Sequence, residues 1–160
     1  EAPRSHGRRG GALPVEWKVN KWARRLSQSS RSQREAKTEL LPLPRPIRDA
    51  LSLEYHLQLE ALHAGVGSLI ALQVLMRTVI ATGILCEFGY GDIEDASYKD
   101  LEKIANHAFS SGRQGHFHFD GNAFRLFAKV LTTHDSQLEV VPVRVIDEVA
   151  KRLERYGRAA

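Results

Sequence analysis

The sequence predicts an all-α fold: a compact helical bundle of about five helices around a central buried helix, with a flexible basic N-terminal tail. Three observations lead there. Residues 69–88, LIALQVLMRTVIATGILCEF, stay apolar over a length of roughly 30 Å as a helix, with Arg77 the one internal charge before Glu87. The segments on either side repeat apolar residues at spacings of three and four, the mark of amphipathic helices. The links between them are short, which makes neighbouring helices antiparallel, and no set of alternating strands appears.

The central segment is too long for a strand, which usually runs about 5–6 residues. A helix apolar on most faces must be covered by other helices. A bilayer would cover it too, but Gln73, Arg77, Thr78 and Thr82 sit mid-segment. An arginine at mid-bilayer costs about 2.5 kcal/mol or more, so no membrane span is predicted. Ser68 suits the N-cap and Gly89 the end. Gly83 costs about 1 kcal/mol relative to Ala in a helix interior, which points to close approach by a neighbour.

The other elements follow in order. In residues 40–46, LLPLPRP, prolines at 42, 44 and 46 push each preceding residue away from helix. The run reads as a rigid extended lead-in. Helix one covers residues 47–63 with Ile47, Leu51, Tyr55, Leu59 and Leu62 on one stripe. His56, Glu60 and His63 share the side away from that stripe and read as a solvated or partner-facing face. After the central helix, Ser97 and Asp100 form a capping box for a third helix over residues 98–111. Its face holds Leu101, Ile104, Ala105, Ala108 and Phe109. Asp120 caps a fourth helix over residues 122–133, with Phe124, Phe127, Val130 and Leu131 inward. Residues 134–141 either extend it or form a loop. Pro142 opens a fifth helix with Ile146, Val149, Ala150, Leu153 and Tyr156 inward, and Gly157 ends it.

Charge separates tail from body. Residues 1–39 hold ten Lys/Arg against four acids, while residues 40–160 hold thirteen against fifteen. The division places a disordered basic tail at 1–39 and the bundle domain at 40–160. Trp17, Lys18, Lys21, Trp22, Arg24 and Arg25 interleave tryptophan with cations, a pattern that meets nucleic acid or another anionic surface. Cys86 is the only cysteine, which excludes an intramolecular disulfide and fits a reducing, cytoplasmic location. No apolar leader precedes Leu40.

Little catalytic chemistry is visible. There is no phosphate-binding glycine loop, nucleophile elbow or Cys-x-x-Cys pair. His116, His118 and Asp120 alternate, so an extended backbone would put two imidazoles and a carboxylate on one face, a donor set for a transition metal. Asp120 is equally explained as a helix cap. Arg77 needs a partner in an apolar helix: an ion pair with a carboxylate, or an anionic ligand.

The LPLPRP lead-in, the following LSLEYHLQLEALHAGVGS and the long apolar helix resemble small helical proteins of proteobacteria, some described as Fis-like transcription regulators. The resemblance covers residues 41–157 and implies no catalytic residue. It implies a DNA-binding role, with a basic C-terminal helix where Lys151, Arg152 and Arg155 stand. The expected function is therefore non-enzymatic: contact with a protein partner or with a second copy. Two alternatives stand beside it, a DNA-associated regulator and a metal-dependent enzyme at His116, His118 and Asp120. No cofactor is expected unless that metal is present.

Overall fold

The computed structural model describes residues 35–112 and 117–159. The body, Glu39–Ala160, is built from five helices: α1 (Arg45–His63), α2 (Leu69–Glu87), α3 (Asp95–Gly112), α4 (Gly121–Val140) and α5 (Val143–Ala159). No strand forms among the described residues; two isolated bridges, Pro42 with Pro142 and Gly67 with Phe117, are the only extended pairings there. The tail residues singled out above, Trp17 through Arg25, lie outside the described residues, as does His116.

The proline run does what its backbone restriction demands. It stays extended and lies along the start of α5, where Val143 N–H donates to Leu41 O (2.9 Å) and Arg144 N–H to Glu39 O (3.0 Å). Pro44 then caps α1, and Tyr55, Leu59 and Leu62 turn inward. At the head of α2 the Ser68 side chain accepts from Ala71 N–H at 3.2 Å. At its end Gly89 takes φ +86°, a left-handed conformation that side chains disfavour.

α2 is the central element. It packs against α1, α3, α4 and α5, and buries Leu72, Leu75, Val79, Ile84 and Leu85 among others. Gly83 explains itself here: a Cβ would meet the Tyr98 hydroxyl of α3 at 2.9 Å. By length and composition alone α2 could cross a membrane, but half of that stretch is buried inside the bundle. The core has two parts. The larger gathers Leu59, Leu62, Leu75, Phe119, Phe127 and Leu131. The smaller joins Ile84, Leu85, Leu138, Val141 and Val149.

Several local expectations are corrected. α3 begins at Asp95, so Ser97 lies inside the helix and its N–H donates to Glu94 O at 2.9 Å; the capping box is not used. α4 does not stop at residue 133. Nothing between Asn122 and Pro142 breaks a helix, so it runs on to Val140, where Val141, preceding proline, turns extended (ψ 130°). α5 passes through Gly157 to Ala159. Ile47, Leu51, Phe109, Ala150 and Tyr156 are exposed rather than inward. Glu60 and His63 are exposed, as expected of that face, while His56 is half-buried, and both histidines also reach α4 or the chain leading into it. His56 meets Asp135, and His63 donates from Nδ1 to Phe119 O (3.1 Å) while its ring lies 4.6 Å from that of Phe124.

Candidate functional site

The extension of α4 brings polar side chains into the bundle. His134 and Gln137 are buried on the face that Phe127, Val130 and Leu131 begin. The spacing from Leu131 to His134 to Leu138 keeps one helical stripe. Asp135, one step round, faces α1.

Asp135 gathers two donors from α1. The Tyr55 hydroxyl donates to one carboxylate oxygen, and His56 Nε2 donates to the other at 2.9 Å. An ionised carboxylate only accepts, which sets the proton on His56 Nε2. Burial pushes the Asp135 carboxyl up, but hydrogen bonds from Tyr55, His56 and Ser52 outweigh it and hold the group below its ordinary value. The same contact, on top of burial, raises the Tyr55 phenol well above its usual range.

His134 lies behind this pair, with its ring edge-on to Tyr55 at 5.7 Å. Its Nδ1 is 3.1 Å from Thr82 Oγ1. Thr82 spends its single proton on Thr78 O at 2.7 Å. The threonine can therefore only accept from the histidine, so Nδ1 carries the hydrogen and Nε2 is left with a lone pair. Burial pushes the imidazole below its ordinary 6.5, which keeps it neutral near pH 7.

Gln137 closes the far side. Its amide nitrogen reaches Tyr90 O (2.6 Å), Thr82 O (3.2 Å) and Cys86 Sγ (3.3 Å), while its Oε1 is buried without a hydrogen-bond partner among the described residues. Burial raises the Cys86 thiol, so it stays protonated and a poor nucleophile. Tyr98, beside it, is pushed up to about 12, by burial first and then by Cys86.

Between α1, α2, α4 and α5 a cavity of about 370 Å³ opens on this cluster. Leu51, Val74, Leu138 and Ile146 supply aliphatic wall, Tyr55, Thr78 and His134 its polar patch. Arg77 and Glu54 also line it and are both exposed. The ion pair expected of Arg77 is not formed among the described residues. Water solvates the guanidinium, because that stripe of α2 is the one no helix covers.

The other predicted residues fare differently. Asp120 is spent on the α4 cap: it accepts from Ala123 N–H at 2.7 Å, and that bond holds its carboxyl below the usual range. His118, His107 and Asp120 line one shallow cavity, yet among the described residues no three His, Cys, Asp or Glu side chains converge closely enough for a metal. The C-terminal cations are engaged within the fold. Lys151 and Arg155 pair with Glu148 (4.0 and 3.3 Å), and Arg152 pairs with Glu87 (2.9 Å) while lying 4.7 Å from the Phe88 ring centre. Sequence reasoning missed Tyr55, His134, Asp135 and Gln137 as a group. The available signal was the absence of any glycine or proline between Asn122 and Pro142. No family model, curated protein or solved structure matches the chain.

Proposed function

We propose that this chain is a non-enzymatic, cytoplasmic bacterial module that acts through protein contact, and that its partner is a second copy of itself. One observation carries the reading: the central helix is left open along one side. Ile70 is 68% exposed, and Leu69 and Ile80 are exposed on the same stripe. Across a groove of about 660 Å³ Ile70 and Ile80 face Leu153 and Tyr156 of α5, the latter 59% exposed. Apolar side chains clustered in this way usually mark a contact surface.

The chemistry of the face favours self-pairing. It carries both signs of charge, Arg77 and Glu154, beside its apolar residues. A twofold axis sets such a patch against its own copy, isoleucine into groove. A DNA-associated role has less support, since the C-terminal cations already hold intramolecular partners.

Light scattering on the size-exclusion peak of the full chain tests this. The expected mass is twice 18.0 kDa, and Ile70→Asp should return it to the single-chain value. A wild-type monomer at high protein concentration would overturn the reading. Retention on DNA that falls steeply with salt would replace it with the regulator. Stoichiometric zinc, iron or manganese by elemental analysis would replace it with the metal enzyme.

A further inference from the structure

From the cavity beside His134 we infer a binding site for a small aliphatic monocarboxylate that carries a hydroxyl on its chain. The cavity shares Val74 and Arg77 with the groove proposed for self-association, so Ile70→Asp, which alters that groove alone, separates ligand binding from pairing of two copies. Four features define the ligand. The volume, about 370 Å³, falls in the range that holds small organic molecules. Leu51, Val74, Leu138 and Ile146 offer a saturated chain a matching wall, and no Phe or Trp is among the described residues that line it. The polar groups are unequal in what they have left to give. Tyr55 donates to Asp135, and Thr78 donates to Val74 O at 3.0 Å. His134 is 8% exposed, and its Nδ1 is committed to Thr82. Its Nε2 accepts no hydrogen bond among the described residues, and a ligand hydroxyl would supply one.

The fourth feature is Arg77. Its fork of donors stands exposed at the same cavity, without a carboxylate partner among the described residues. A carboxylate can bind it in the planar bidentate geometry that guanidinium favours. Glu54, the other charge lining the cavity, repels a second negative charge, so the head is a monoanion and a phosphate monoester is disfavoured. An exposed head and a buried chain avoid the cost of taking a carboxylate out of water.

Calorimetric titration of the full chain with octanoate, β-hydroxyoctanoate, ω-hydroxyoctanoate and octanol tests the assignment. Octanoate should saturate one site, and at least one hydroxylated acid should bind more tightly. Octanol should bind about tenfold more weakly than octanoate, the value of a charge-assisted hydrogen bond. Arg77→Gln should remove that difference, and Glu54→Gln should strengthen octanoate. His134→Leu should abolish the preference for the hydroxylated acid. Arg77 and Glu54 are exposed, so their variants fold and decide the matter even if His134→Leu does not. The site is overturned if no probe saturates, if octanol matches octanoate, or if Arg77→Gln leaves octanoate binding unchanged.

Discussion

Over residues 121–133, α4 turns Ala123, Phe127, Val130 and Leu131 into the bundle; over residues 134–140 it turns in His134, Gln137 and Leu138. The two halves share one helical stripe and one backbone geometry, and they differ in what they bury. The first half is held by apolar contact: Phe127 is fully buried and stacks on Phe119 with ring centres 4.7 Å apart. Such contacts depend on volume and tolerate replacements of similar size. The second half is held by hydrogen bonds whose partners lie far away in sequence. There each polar side chain meets partners of matching chemistry, so a replacement must keep chemistry as well as volume. The backbone is one continuous helix through both places, but only the second half forms a site.

Substitutions can separate the two halves. Phe127→Ala should cost most, about 3–5 kcal/mol, because it removes a large ring and leaves a cavity. Phe127→Leu should recover most of that loss in a denaturant titration. Gln137→Ala should cost about 1–3 kcal/mol, since Tyr90 O and Thr82 O lose their donor. Here a similar-sized leucine should not rescue stability, which is the sharpest contrast with Phe127. Asp135→Ala strands the buried Tyr55 hydroxyl and should fall at the low end of about 1–3 kcal/mol, because a partly exposed position lets water in.

Mild acid should act on the second half, before the low-pH loss of the Asp120 cap reaches the first. The folded-state value of His134 lies below 6.5, so between the two values the unfolded chain binds more protons. The stability this residue protects is complete above pH 6.5 and is lost as pH falls toward the folded value. Tyr55 and Asp135 face the imidazole from α1 and α4, and Glu54 and Arg77 share its cavity. Asp135, held below 3.8, adds a second loss at lower pH. Melting temperature against pH should show the upper step in the wild type and lose it in His134→Asn. The smallest effect is expected outside α4 altogether: Arg152→Ala breaks an exposed pair with Glu87 and should cost about 0.2–1 kcal/mol.

Much of the fold was legible in the residues. Ser68, Asp120 and the proline lead-in act locally, and their roles follow from backbone sterics and short-range hydrogen bonds. The inward positions Tyr55, Leu59, Leu62, Phe127 and Leu131 follow from a 3.6-residue period. The site was less legible. Arg77 was visible as an anomaly in the central helix, but nothing local said that its stripe would stay uncovered. His134, Asp135 and Gln137 sat in a stretch whose helical state was open, and their partners on other helices could not be named.

The sequence by itself determined five amphipathic segments, their order and which positions carry apolar surface, because helix periodicity and capping act over a few residues. Tertiary structure decided that Tyr55 meets Asp135 across 80 positions and that Thr82 meets His134 across 52. It also decided which side of α2 faces water. Helix packing brings those groups together, and a hydrogen bond or an open stripe exists only once the facing helix is in place or missing.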